Sequence, residues 1–179
     1  MIEVKLIRHA LTEGGKRRVY LGGGTDEHLC REGFAQAASL AESCERNVYA
    51  SPMTRCVQTA EIMFPGSEIV LIEGFREMNF GDFEGRSAEE MKNDPEYRAW
   101  IAADCEPVCP NGEDLAGFNK RTRGAFWAVI AQARERGGER VIIVAHGGTI
   151  MSVMSELKPE RAYFEWRCKH CEGVSISIR

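Results

Sequence analysis

VIIVAHGGTI, residues 141–150, opens with an unbroken apolar, mostly β-branched run and then turns abruptly into a histidine, two glycines and a threonine. Such a run, with no polar alternation, reads as a strand buried on both faces, the habit of a central strand in a parallel sheet. His146 then stands at the carboxyl end of the strand, and Gly147 opens a helix. In open α/β sheets that edge is where ligands bind. The other end of the chain repeats the pattern, because in VKLIRHALTEGGKR (4–17) Arg8 and His9 directly follow an apolar run. Two strands ending in histidine would bring both imidazoles to one edge, facing one another.

Working outward, further short apolar runs at 48–50, 69–72, 163–166 and 174–178 read as strands, separated by segments of helical length. Residues 31–45 place Phe34, Ala37, Ala38 and Ala41 on one helical face with Leu40 beside it. Residues 113–138 gather Leu115, Phe118, Phe126, Val129, Ile130 and Ala133 before a Gly-Gly stop. This alternation predicts an α/β fold, a three-layer α/β/α sandwich with a mostly parallel sheet. SPMT at 51–54 reads as a helix start with Ser51 as N-cap, which puts Arg55 in the first turn near the sheet edge. Residues 87–110 differ: they are charged, with a helical stretch interrupted by Pro95, and read as an excursion placed to lid a pocket.

A chain of 179 residues fits one domain, 1–179. Its net charge of −4, with 44% hydrophobic and 28% charged residues, argues against a broad electrostatic grip on nucleic acid or anionic lipid. The apolar runs are strand-sized, short of the roughly 18 residues of a membrane span, and MIEVKLIRHA lacks secretory features, so a cytoplasmic location is expected. The seven cysteines then read as reduced thiols. Cys30, Cys44 and Cys56 read as packing residues. The spacing of Cys105, Cys109, Cys168 and Cys171 loosely resembles a four-thiolate zinc site, against a default of free thiols.

Arg8, His9, Arg55, Glu77 and His146 all fall at predicted strand or helix ends. Arginine offers a planar fork of donors to phosphate oxygens, and the helix start at Gly147 offers backbone N–H groups to an anion. A neutral imidazole can attack phosphorus while a protonated carboxyl supplies the leaving alcohol with its proton. Taken singly these residues have plainer readings: a hydrogen-bonded histidine, an arginine in an ion pair, and Glu77 as one more acid in a loop with Glu73, Asp82 and Glu84. Their joint placement favours phosphoryl transfer, with Asp82 and Glu84 organising the loop. GGKR (14–17) is not a nucleotide P-loop, since Lys16 is followed by Arg17 instead of Ser or Thr. Lys16, Arg17 and Arg18 form either a solvated basic turn or a subsite for a second acidic group.

Five stretches, LIRHALTE (6–13), YLGGGTDEHLCREGFAQA (20–37), ASPMTRCVQTAEI (50–62), REMNFGDFEG (76–85) and VAHGGTI (144–150), together resemble the histidine phosphatases, the phosphoglycerate mutase-like superfamily, in the family's order. The wording of YLGGGTDEHL and FREMNFGDFEGRS is closest to the α-ribazole phosphatase branch. The resemblance implies a phosphoglycerate mutase-like fold and a metal-independent phosphomonoesterase with no cofactor. Its partner would be a small phosphate ester, with α-ribazole 5′-phosphate a candidate. It also implies that His9 is the nucleophile forming a phosphohistidine, that Arg8, Arg55 and His146 hold the phosphoryl oxygens, and that Glu77 is the proton donor and then the base for water. Thr12, Gly15, Lys16, Arg17, Arg18, Tyr20, Thr25 and Gly147 would bind substrate. The alternatives are a phosphoglycerate mutase, whose familiar members are longer, and a catalytically weak phosphate-binding regulatory module. Two departures stand out: Ala10 replaces the usual glycine after the histidine, and Gly15 replaces a common asparagine whose amide donates to phosphate. Without that amide, either the grip on phosphate is weaker or a backbone N–H of the Gly14-Gly15 turn takes its place.

Overall fold

A computed structural model describes residues 1–43 and 47–179. Strand β4 (Arg140–Ala145) lies between β1 (Ile2–Arg8) and β2 (Asn47–Ala50), parallel to both. Strand β3 (Glu68–Leu71) continues the parallel set beyond β2, and β5 (Gly173–Ile178) closes the other edge antiparallel to β1, giving the order β3-β2-β4-β1-β5. The continuous apolar run has the predicted cause. Val141, Ile143 and Ala145 enter one core with α5 (Leu115–Glu135) and α6 (Gly147–Leu157), whereas Ile142 and Val144 enter the opposite core with α2 (Arg31–Ser39) and α3 (Thr54–Met63). Each buried valine or isoleucine among them contributes about 1.5–3 kcal/mol, and the three-layer α/β fold follows. No helix among the described residues is long and apolar enough to cross a membrane.

Register does the work that the site needs. Arg8 is paired with Ala145, and the amide of His9 donates to the Ala145 carbonyl at 2.9 Å, so β1 and β4 end level with each other. The residues after those ends, His9 and His146, are therefore neighbours. Strand β5 begins at the same level, with Gly173 opposite Ile7.

Several local expectations are corrected. Helix α2 stops at Ser39 and buries Gly33 and Ala37, while Phe34, Ala38, Leu40 and Ala41 are exposed. It crosses Leu11 so closely that a Cβ on Gly33 would lie 2.0 Å from the Leu11 carbonyl oxygen, which turns a small-residue face inward. Residues 163–166 form a 3-10 helix, Tyr163–Trp166, packed on α6 and closed by the Glu165 carboxylate accepting from the Ala162 amide. Pro95 begins α4 (Pro95–Ala102) instead of interrupting a helix: lacking an N–H, it suits the first turn, and Asp94 caps from in front. Cys44 lies outside the described residues.

Ser51 is not the cap of α3. Asp26 reaches across from the preceding loop, its carboxylate accepting from the Thr54 amide at 2.8 Å and the Thr54 hydroxyl at 2.7 Å. This contact fixes the turn that carries Arg55. Asp26→Ala should lower stability by about 1 kcal/mol, the usual value of a lost helix cap, with Asp26→Ser retaining most of it. Denaturant midpoints equal in wild type and Asp26→Ala would refute the assignment.

Candidate active site

Geometry at the end of β1 sets the state of His9. Its Nδ1 lies 2.8 Å from the Ala10 carbonyl oxygen, which can only accept, so Nδ1 carries the proton and Nε2 keeps its lone pair. Burial, reinforced by the positive charges of Arg55 and Arg8, holds the imidazolium form well below the ordinary histidine range. His9 is thus a neutral imidazole with its lone pair at Nε2. Ala10 is fully buried without a positive φ, so its methyl group is accommodated.

His146 packs edge-on to His9 with ring centroids 5.3 Å apart, its Nε2 2.8 Å from Ser51 Oγ. Burial and Arg55 depress its pKa as well. Arg55 is wholly buried, and its guanidinium donates to the Thr25 carbonyl at 2.8 Å and to that of Gly22 at 3.2 Å. Arg8 donates through Nη1 to the Cys168 carbonyl at 2.8 Å. In both arginines the buried Nε–H has no hydrogen-bond partner. An unpaired buried guanidinium donor costs free energy unless an anion meets it.

Glu77 completes the group. One carboxylate oxygen accepts from the Met78 amide at 3.0 Å, the other from the Gly148 amide at 3.2 Å. Burial outweighs these bonds and the nearby arginines, pushing the carboxyl above its usual range. Glycine at 148 is required by this approach, since a Cβ there would stand 2.2 Å from Glu77 Oε1. Arg121 braces the Glu77 segment: it pairs in fork geometry with Glu113 at 2.7 and 2.8 Å and donates to the Arg76 carbonyl at 2.8 Å and the Glu77 carbonyl at 3.0 Å. Glu84 ties the neighbouring loops together, accepting from the amides of Gly24 and Phe80 and from the Thr25 hydroxyl.

A cavity of about 340 Å³ opens above this cluster, with Arg8, His9, Gly15, Tyr20, Glu77 and Gly147 in its wall. Arg55 and His146 lie fully buried one layer below. Thr12 is buried beneath the wall as the N-cap of α1 (Glu13–Arg17), and Thr25 acts through its carbonyl on Arg55. Lys16, Arg17 and Arg18 are exposed, and Lys16 is drawn to Glu13 and Glu32, so the basic turn reads as solvated. The backbone substitute for asparagine at 15 is also corrected, because Gly14 N donates to Glu27 and Gly15 N to Thr12. Nor do the four cysteines converge. Cys109 and Cys105 belong to the small core around Trp100, whereas Cys168 and Cys171 pack against the two different faces of the sheet.

The sequence reading did not pick out Arg121, the serine partner of His146, or the aromatic wall formed by Phe80, Trp100, Phe118, Tyr163 and Phe164. It also passed over His170, whose ring centroid is 5.2 Å from that of His9. Its only signal was adjacency to the last strand.

Comparison with known proteins gives the family. Residues 4–178 match the model of the histidine phosphatase superfamily (branch 1). The chain belongs to that superfamily. A relative from Hydrogenobacter thermophilus named putative phosphoserine phosphatase 2 is 29% identical over 163 residues, covering 86% of this chain and 77% of the relative. Among solved structures, the α-ribazole phosphatase from Shigella flexneri superposes with a TM-score of 0.85 at 22% identity, covering 99% of this chain and 91% of that one. A phosphoserine phosphatase from Entamoeba histolytica, solved with 3-phosphoglyceric acid, gives 0.78 at 25% identity, with 99% and 96% covered. This histidine phosphatase is accordingly a phosphatase enzyme.

The close approach at Gly148 yields a test of the Glu77 geometry. Gly148→Ala should displace the carboxylate and slow hydrolysis of an alkyl phosphate by about 10²-fold, the low end of what a positioned general acid contributes, with the melting temperature nearly unchanged. Wild-type rates in a folded Gly148→Ala protein would show that Glu77 does not need this seat.

Proposed function

We propose that this histidine phosphatase hydrolyses phosphomonoesters of ring-bearing alcohols through a phosphohistidine at His9, α-ribazole 5′-phosphate being the leading candidate substrate. The observation that carries the reading is the neutral His9, with its lone pair at Nε2, beside the buried acid Glu77 and Arg8 in one cavity, with Arg55 directly beneath and the Nε–H of both arginines unpaired. In the first step His9 Nε2 bonds to phosphorus as the ester P–O bond breaks, and Glu77 transfers its proton to the departing alkoxide. In the second, Glu77 takes a proton from water, whose oxygen attacks phosphorus and releases His9. Arg8, Arg55 and His146, with the amide at Gly147, stabilise the charge on the phosphoryl oxygens.

The substrate class rests on the wall above the site. Tyr20, Phe80, Trp100, Phe118, Tyr163 and Phe164 present aromatic surface, suited to stacking a planar base or ring. Trp100 comes from the excursion at 87–110, which would act as the lid. A mutase substrate with a second acidic group finds less support, since the basic turn at 16–18 is turned to solvent.

Burial keeps Glu77 protonated to higher pH than an ordinary carboxyl, so the phosphorylation step should weaken as pH rises through its elevated pKa. With p-nitrophenyl phosphate, whose leaving group needs no proton, Glu77→Gln should give a burst equal to the enzyme concentration and then turn over about 10²-fold slower than wild type. His9→Ala should give neither burst nor turnover, and activity should survive EDTA. Wild-type turnover in folded His9→Ala protein would end the mechanism. A preference for 3-phosphoglycerate over α-ribazole 5′-phosphate in kcat/KM, unaffected by Trp100→Ala, would end the substrate assignment.

A further inference from the structure

The segment before β5 places a second imidazole in the cavity wall beside that of His9, and neither the mechanism above nor the sequence reading uses it. Arg8 N donates to the Glu172 carbonyl and Cys171 N to the Arg8 carbonyl, which pins this segment against the end of β1. His170 consequently lines the cavity beside Arg8 and His9. Its Nδ1 lies 3.1 Å from the His9 carbonyl oxygen, and a carbonyl only accepts, so this nitrogen carries a proton. Its Nε2 is directed to Gly15, where a Cβ would come within 3.2 Å of it. Glycine at 15 therefore makes room for the imidazole.

In the neutral ring, Nε2 is a lone pair, an acceptor that a phosphoryl oxygen does not favour. In the imidazolium form Nε2–H becomes a charged donor while the bond to the His9 carbonyl is kept. We propose that His170 takes up one proton from solvent when a dianionic group enters the cavity, and in that form donates Nε2–H to it as an additional phosphoryl-binding residue. The proposal rests on the phosphatase reading of this site.

The surroundings fit such coupling. Burial and then the charge of Arg8 hold His170 down to about 4, so it is neutral near pH 7 until a second negative charge offsets Arg8. The groups facing it are Arg8 and His9 from β1 and its end, Gly15 from α1, and Gln36 from α2, whose Nε2 donates to the His170 carbonyl at 2.9 Å. On its own segment, exposed Lys169 pairs with Glu172, and Cys171 is neutral and buried. Because the dianion brings the proton with it, anion affinity should rise as pH falls.

Sulfate is the probe, since it stays dianionic across the range and cannot be turned over. Its inhibition constant against a phosphate ester would be measured from about pH 5.5 to 8, the span in which histidine coupling is read. His170→Ala should bind sulfate roughly tenfold more weakly at the acid end, the scale of a lost charge-assisted hydrogen bond, and the slope of log affinity against pH should flatten by up to one proton. His170→Gln, which keeps a neutral N–H near the same place, should flatten the slope equally yet restore affinity at the alkaline end to at least the wild-type value. A purely structural role would lower the melting temperature and leave the slope alone. Sulfate binding competitively to wild type and to both variants with one common slope would overturn the His170 assignment while leaving the phosphatase site intact. Sulfate failing to compete with substrate in wild type would overturn the His170 assignment, and absence of ester turnover in wild type would overturn the phosphatase reading on which it rests.

Discussion

Burial of cationic guanidinium groups under the sheet edge, without close carboxylate partners, is the constraint on which the site depends. Arg55 is fully buried, yet its charge is met by backbone carbonyls of the loop at 21–25, and its nearest acid, Asp26, stands 3.9 Å away. Carbonyls satisfy hydrogen bonds without cancelling a charge. Burial, and after it this remaining positive potential, lowers the pKa of both His9 and His146 and keeps both imidazoles neutral, and the same potential favours an anion at the unpaired Nε–H groups. An ion pair at 2.8 Å would have been a more ordinary solution and would have removed that potential.

Holding such groups in place requires backbone contacts more than side-chain bulk. Leu11 and Gly33, Gly148 and Glu77, and Gly15 and His170 are approaches in which a glycine admits a partner that a Cβ would crowd. Each joins a loop at the carboxyl edge to a neighbouring element. Rigidity at this edge comes as well from Arg121, whose fork to Glu113 and bonds to the backbone at residues 74, 76 and 77 fix the segment that carries the acid. Preorganised donors of this kind do not have to reorient during charge transfer.

The strand ends were legible because β1 and β4 are short, apolar runs that stop abruptly, so the two histidines could be placed on one edge from sequence. What the sequence did not carry was information held between elements. The inward face of α2 is chosen by Leu11 and not by the largest apolar residues, which leaves Phe34 and Leu40 in solvent. The α3 cap comes from Asp26, 28 positions before the residue it caps, where only Ser51 was adjacent. His170 reaches the site through an antiparallel pairing that no local pattern encodes, and the basic turn at 16–18 is claimed by Glu13 and Glu32 in a way that charge alone does not foretell.

If an anion is the missing partner of the buried arginines, its binding must stabilise the native state by mass action, RT ln(1 + [L]/Kd). The direct measurement is the melting temperature as a function of inorganic phosphate concentration at constant ionic strength, in wild type and in Arg55→Met. The account predicts a progressive rise for wild type, amounting to about 2.7 kcal/mol at a hundredfold excess over Kd, and a much smaller rise for the variant. A wild-type melting temperature that ignores phosphate, or an equal rise in the two proteins, would contradict it.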